Sequence, residues 1–214
     1  FKGTLPEFPA GKPLFIFASH FHADHYASVI FQLGEKRENV FYILSKEIGK
    51  KIPEEYRKRY KDRIRLVKAG ERFCLNISEE SLIVETFHST DEGVAFWLSC
   101  EGKEIYHAGD LNNWWWEGED MAWNRNMAAS YKQEMKKLSG RTADLAFIPV
   151  DPRQEQWFYL GVAGFMEQAD TKWIFPMHFW EDYTIIPKLI EHPASEGWRD
   201  RIVEIHKEGE EFIR

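Results

Sequence analysis

Residues 19–25 read Ser-His-Phe-His-Ala-Asp-His and place four metal-type side chains within six positions. They follow the apolar run Leu14–Ala18, which is short and rich in aromatic residues and which we predict to be a buried strand. Successive side chains alternate between the two faces of an extended chain, so His20 and His22 project to the same side and can share one ion. The aspartate and the last histidine follow where the strand gives way to a turn. They can therefore reach a second ion beside the first.

The same arrangement recurs along the chain, where an apolar strand ends at a side chain that can bind a metal. It recurs at His88, at Asp110 and at His178. Strand ends hold side chains in defined positions beside a cleft, so these residues can meet in space. Together they give two sets of three, with a carboxylate between them that has two oxygens to share. The sets are His20, His22 and His88, then Asp24, His25 and His178, with Asp110 as the bridge.

Predicted strands and helices interleave along the sequence, and one hairpin, turning at Glu101-Gly102, is antiparallel. The fold class is therefore α/β with mixed sheets, in a single domain covering 1–214. The predicted strands are 14–18, 40–44, 64–67, 71–75, 82–87, 93–100, 104–107, 144–150, 173–179 and a closing strand at 202–205. The predicted helices are 26–34, a segment beginning at Glu54, 117–138, 164–169 and 185–191.

Charge and hydropathy restrict the partners. Lys and Arg total 28 against 35 Asp and Glu, for a net charge of -7. Binding to phosphate backbones needs clustered Lys and Arg, so we expect a small-molecule substrate and no nucleic acid. No run approaches the roughly 18 apolar residues of a membrane span, and no signal segment opens the sequence, so we expect no membrane partner and a cytoplasmic location. The sequence does not begin with Met, which leaves a preceding segment open, and it does not indicate the oligomeric state.

The pattern as a whole resembles the metallo-β-lactamase fold hydrolases. The stretch from His20 to His25 matches their HxHxDH signature, and His88, Asp110 and His178 follow in the family's expected order over nearly the whole chain. The resemblance implies an αββα sandwich with two divalent metal ions between the sheet edges, zinc first and Mn or Fe as alternatives. His88-Ser-Thr-Asp-Glu-Gly and the modest length are most similar to the small Zn-dependent hydrolases that include the ascorbate-6-phosphate lactonase and acylethanolamine phospholipase groups.

The resemblance also implies the ligand sets given above and departs from the family in one respect. The family has several strands ahead of the signature, whereas the stretch before His20 has room for little more than the strand ending at Ala18. Either the N-terminus is truncated or one sheet lacks N-terminal edge strands. One wall of the cleft depends on which alternative holds.

The expected reaction is hydrolysis of an ester, a lactone or a phosphodiester of a small molecule. Two divalent ions about 3.5 to 4 Å apart would lower the pKa of a bridging water from about 15.7 towards 7, which supplies hydroxide at neutral pH. Asp24 or Asp110 would be the catalytic residue that orients this hydroxide and accepts its proton. The alternatives are a nuclease or phosphodiesterase of the same fold, a di-iron oxidoreductase, and a catalytically silent metal-binding protein.

Several further residues are candidates for the substrate site. Trp114, Trp115 and Trp116 follow Asp110 and predict either an aromatic wall near the metals or a packed tryptophan-rich loop. Phe179 and Trp180, next to His178, are expected to line the same mouth. Among the other polar residues, Asp91 is interpreted as a carboxylate that orients a ligand or as a turn former, His107 as a possible extra ligand, and Arg153 as a surface residue in preference to an anion contact.

Overall fold

The computed structural model describes residues 9, 11–35, 37–77 and 80–212. Within them the first sheet has three parallel strands in the order β1-β2-β3: β1 is Leu14–Ala18, β2 is Val40–Ser45 and β3 is Ile64–Val67. Helix α1 (Ile30–Glu35) connects the first two strands, and α2 (Glu54–Arg59) precedes the third. Strand β1, which leads into residues 19–25, lies at the edge of this sheet.

The second sheet has six strands in sequence order. They are β4 (Arg72–Ile77), β5 (Glu80–His88), β6 (Val94–Cys100), β7 (Lys103–His107), β8 (Thr142–Pro149) and β9 (Asp170–Met177). Neighbouring strands from β4 to β7 pair antiparallel, whereas β7 with β8 and β8 with β9 pair parallel, so the sheet is mixed as predicted. The predicted hairpin turn between β6 and β7 is confirmed. Both of its residues have positive φ, 50° at Glu101 and 72° at Gly102, as two-residue hairpin turns require.

Three helices accompany the second sheet: α3 (Met121–Lys136), α4 (Leu160–Met166) and α5 (Ile185–Glu191). Helix α3 begins where Asp120 accepts a hydrogen bond from the Trp123 amide at 2.7 Å, which satisfies one of the free N–H groups of the first turn. In the part of the chain that the structure describes, each helix is too short or too polar to cross a bilayer.

Alternating side chains build the layers. In β2, Tyr42 and Leu44 pack with α1 and α2, whereas Ile43 packs between the sheets. In β6, Phe96 faces the space between the sheets, whereas Trp97 joins the large core under the second group of helices. Each sheet therefore has helices on one face and the other sheet on its opposite face. This is the αββα sandwich that the sequence predicts.

The predicted closing strand at 202–205 is wrong. Ile202 forms only an isolated parallel bridge with Ile174, and Val203 donates one backbone hydrogen bond to the Ile174 carbonyl at 2.8 Å. A 3-10 turn at Arg199–Arg201 delivers the chain to the sheet edge, and Ile202 and Val203 are buried there. Their hydrophobicity reflects this burial and not a ladder of strand hydrogen bonds.

Candidate metal centre

Two glycines bring the ends of the two sheets together. A Cβ at Gly93 would lie 1.9 Å from the Ser19 carbonyl oxygen, and a Cβ at Gly109 would lie 2.7 Å from the Ser19 Cβ. Both glycines have positive φ, 74° and 54°. The Val94 amide donates to the Ser19 carbonyl at 3.1 Å, which joins the end of β1 to the start of β6. Residues 19–25 therefore lie against the turns that follow β5 and β7.

The first half of the centre contains His20, His22 and Asp110. His20 Nε2 lies 3.0 Å from His22 Nδ1 and 3.2 Å from Asp110 Oδ2. His22 and Asp110 also form a group with Asp91, in which one donor atom from each residue lies within 4.8 Å of the others. The two imidazoles and the carboxylate therefore lie together. His20 and Asp110 also form such a group with His25, so the donor groups of the two halves overlap.

The second half contains Asp24, His25 and His178, which form a donor group with the same 4.8 Å limit. The Asp24 Oδ2 atom lies 3.4 Å from His25 Nε2 and 3.5 Å from His178 Nε2. Asp110 Oδ1 lies 3.1 Å from His25 Nε2 and 3.7 Å from His178 Nε2. The two oxygens of Asp110 therefore face different halves, which is the position predicted for a bridging carboxylate. That these side chains bind metal remains a prediction.

His88 does not join the centre. It is exposed, its backbone amide donates to Glu134 at 3.2 Å, and it lines a cavity beside α3 that Asp91 also borders. Strand β5 extends through His88, which pairs with Val94 of β6, so the chain turns only after this residue. The expectation that His88 completes the first half therefore does not match the geometry.

Asp91 occupies the place predicted for His88. It lies in the turn after β5 and approaches His22 and Asp110. The turn is fixed by Thr90, whose hydroxyl donates to the Asn112 carbonyl at 2.6 Å and accepts from the Asn112 amide at 3.0 Å. The sequence identified Asp91 only as an orienting carboxylate or a turn former. The position of Asp91 depends on the close contact of Gly93 with Ser19. This contact is tertiary, so the sequence alone did not reveal it.

Two observations show that the residues fit a metal centre. His25 Nε2 and Asp110 Oδ1 are buried and lie 3.1 Å apart, yet neither atom makes a hydrogen bond of good geometry to the other or to another described residue. Buried polar atoms of this kind need a partner, and a cation would provide it. The donors are nitrogen and oxygen, and both cysteines lie outside the donor groups found among the described residues. Such a set suits zinc, manganese or iron.

The surroundings shift the pKa values of Asp110 and Asp91 in opposite directions. Burial alone would raise the pKa of Asp110, but the adjacent His20 and His25 imidazoles hold it well below its ordinary value. Burial raises the pKa of Asp91, and the charge of Asp110 raises it further. A cation between Asp91 and Asp110 would remove this repulsion.

Two side chains behind the centre orient its imidazoles. The Ser19 hydroxyl lies 3.0 Å from His20 Nδ1 and 3.3 Å from His25 Nδ1. The Asp151 carboxylate is fully buried and lies 2.9 Å from His178 Nδ1. In each case the contact leaves the Nε2 atom of the ring directed at the centre. Sequence reasoning assigned no role in the centre to Ser19 or to Asp151.

His107 lies outside the donor groups found among the described residues. Its Nδ1 accepts from the Gly109 amide at 3.1 Å, and its ring stacks on Phe147. Burial lowers the pKa of His107 to about 4. It is therefore a neutral side chain that supports the turn before Asp110.

Two cavities border the centre and share Asp24, His178 and Trp180. The smaller, of about 320 Å³, is lined by ligand candidates, by several tryptophans and by Arg153. The larger, of about 560 Å³, has a largely apolar wall that includes Phe179, Met177 and Tyr183. We call these the small cavity and the large cavity.

The predicted aromatic residues divide between cavity and packing. Trp114 and Trp116 line the small cavity and stack on each other at 5.7 Å, and Trp180, 54% exposed, lines both cavities. The ring of Trp114 also meets His178 edge-on at 5.3 Å. Trp115 instead packs against Trp157 at 5.3 Å, outside both cavities. Both interpretations of the tryptophan run thus apply, each to different residues.

No protein-family model and no curated protein matches the sequence. Solved structures with a similar fold include CmlA, a diiron β-hydroxylase from Streptomyces venezuelae, with a TM-score of 0.49 and 11% identity over 90% of this chain. The chain spans 43% of CmlA. They also include the metallo-β-lactamase fold protein YhfI from Bacillus subtilis, with a TM-score of 0.49, 12% identity, and coverage of 94% of this chain and 78% of YhfI.

Proposed function

We propose that the protein is a metal-dependent hydrolase that cleaves an ester, a lactone or a phosphodiester of a small molecule. The observation that carries this proposal is the position of Asp110, whose oxygens lie 3.2 Å from His20 and 3.1 Å from His25 beside an open cavity. One ion would be held by His20, His22, Asp91 and Asp110, the other by Asp24, His25, His178 and Asp110. When bound, such ions act as Lewis acids and lower the pKa of a coordinated water.

The two carboxylates predicted to be catalytic have different surroundings. The Asp110 side chain is only 5% exposed and lies between imidazoles, and its pKa is held low, so it holds the centre together and stays ionised. The Asp24 side chain is 38% exposed and borders both cavities. We therefore assign to the Asp24 carboxylate the acceptance of the proton from the attacking water.

The cavities support a small substrate. The scissile bond would lie near Asp24 and His178, which line both cavities, with a polar part of the substrate in the small cavity and a less polar part in the large one. Among the described lining residues of the small cavity, three carboxylates accompany a single arginine. A single arginine is not the cluster of Lys and Arg side chains to which a polynucleotide backbone binds.

The test is metal analysis of protein purified without chelator, followed by a screen of nitrophenyl esters, lactones and bis(4-nitrophenyl) phosphate. We expect two metal equivalents per chain, loss of hydrolysis after EDTA treatment, and recovery on adding zinc or manganese. The exposed His206 provides a matched control, because His206→Ala removes an imidazole that contacts Glu204 and Glu210 and lies outside the donor groups. Full activity in metal-free protein would contradict the proposal.

A further inference from the structure

Arg153 is held in a fixed position at the wall of the small cavity. Its Nε lies 3.0 Å from each oxygen of Asp151, and its Nη2 lies 2.6 Å from Asp151 Oδ2. Its guanidinium carbon lies 4.5 Å from the centre of the Trp180 ring and 5.8 Å from that of Trp116. The planar cation is therefore oriented by a carboxylate and two indole rings before any ligand arrives.

One edge of this guanidinium is left for a ligand. Nε and Nη2 are directed at Asp151, whereas Nη1 makes no hydrogen bond to the residues that the structure describes. The Arg153 side chain remains 54% exposed. The Asp151 charge is shared, because His178 Nδ1 lies 2.9 Å and Trp180 Nε1 3.3 Å from the same Oδ2 atom. Arg153 thus keeps Nη1 as a donor on a side chain that lines the small cavity.

The electrostatic setting links Arg153 to the centre. The hydrogen bonds with Asp151 are the main cause of the raised pKa of Arg153, and the negative charges of Asp24 and Asp110 raise it further. The same cavity is otherwise lined by carboxylates, imidazoles and indole rings. An arginine in a rigid, partly desolvated position is well suited to bind a carboxylate or a phosphate.

We propose that Arg153 forms an anion subsite, so that the substrate carries a carboxylate or phosphate group that contacts Nη1 while its scissile bond lies at Asp24. This inference rests on the proposed function and narrows its substrate to small anionic esters, lactones or phosphodiesters. The cavity of about 320 Å³ limits the part of the substrate between the anion and the scissile bond to a short segment. Arg153 is a specificity residue in this scheme and takes no part in bond cleavage.

The test compares two esters that differ by one charged group, 4-nitrophenyl hemisuccinate and 4-nitrophenyl butyrate, on the zinc-loaded protein. We expect Arg153→Gln to lower the ratio of their kcat/KM values, anionic over neutral, by about tenfold, mainly through KM. Arg153→Lys keeps the charge and should recover part of the ratio. Arg125→Gln makes the same charge change at an exposed position of α3 and should leave the ratio as it is. A purely structural role would lower both kcat/KM values together.

A second readout does not depend on turnover. Trp116 and Trp180 lie against Arg153, so titration with inorganic phosphate or succinate should change the indole fluorescence, with a Kd about tenfold higher in Arg153→Gln. If neither ester is hydrolysed but anion binding still depends on Arg153, the subsite stands and the proposed hydrolysis fails. If the ester ratio and the anion Kd are both the same in wild type and Arg153→Gln, the subsite is overturned. Melting curves confirm that each variant is folded.

Discussion

The two halves of the candidate centre share Asp110 but are built differently. Each half contains two imidazoles, but in the half with Asp24, His25 and His178 the buried carboxylate of Asp151 fixes the orientation of one of them. The other half draws Asp91 from an exposed turn, where the charge of Asp110 opposes its ionisation. The first is organised before a cation binds, whereas the second is completed by the cation. We therefore expect the half with His178 to bind its ion more tightly.

Removal of the shared residue should have the largest effect. Asp110→Asn keeps the shape of the side chain and removes the charge that faces both halves. We expect the metal content to fall from two equivalents to fewer than one. Loss of a residue that only orients a ligand lowers activity by about 10- to 100-fold, and we expect a larger loss here. Plasma mass spectrometry and initial rates measure the two effects. Retention of both ions would show that the halves do not depend on Asp110.

The next test separates Asp91 from His88. Asp91→Ala should remove the ion held with His20 and His22 and leave the other in place, giving one tight equivalent by titration calorimetry. His88→Ala is the matched control, because this side chain is exposed and lies outside the donor groups. The opposite result, loss of an ion in His88→Ala alone, would restore the ligand set expected from sequence.

Asp151→Asn should weaken the other half. The amide would no longer offer two charged oxygens to His178 Nδ1 and Arg153, so the imidazole is oriented less firmly. We expect the affinity for the ion beside His178 to fall by about 10- to 100-fold, with the Asp91 half less affected. Calorimetry on Arg153→Gln, which leaves Asp151 intact, separates this effect from the loss of the guanidinium. Equal weakening of both halves would argue that Asp151 acts on the fold as a whole.

The smallest effect is expected from Ser19→Ala, which touches both halves at once. Its hydroxyl contacts His20 and His25, and such a hydrogen bond contributes about 0.5–1.5 kcal/mol, or about two- to tenfold in affinity. Both binding steps should weaken by similar factors in the same titration. A change confined to one step would show that only one of these contacts orients its ring.

Sequence reasoning predicted the features that depend on local pattern. His20 and His22 lie close together as expected, although they follow β1 in a bend and not in extended chain, and the buried strand runs predicted both sheets and their mixed directions. It did not predict Asp91, because a turn residue is placed by the tertiary contact of Gly93 with Ser19. Arg153 was interpreted as a surface residue because the contacts that hold it are also tertiary. Its partners Trp116 and Trp180 come from distant segments, and only folding brings them together.

The close contact of Gly93 and Gly109 with Ser19 has a consequence for stability. Residues 19–25 extend from the first sheet, whereas Asp91, Asp110 and His178 extend from the second, so each ion would connect the two layers of the sandwich. Ligand binding to the native state adds its free energy to that of folding. Metal loading should therefore raise the melting temperature, and chelation should loosen the molecule first along the seam between the three-stranded and six-stranded sheets.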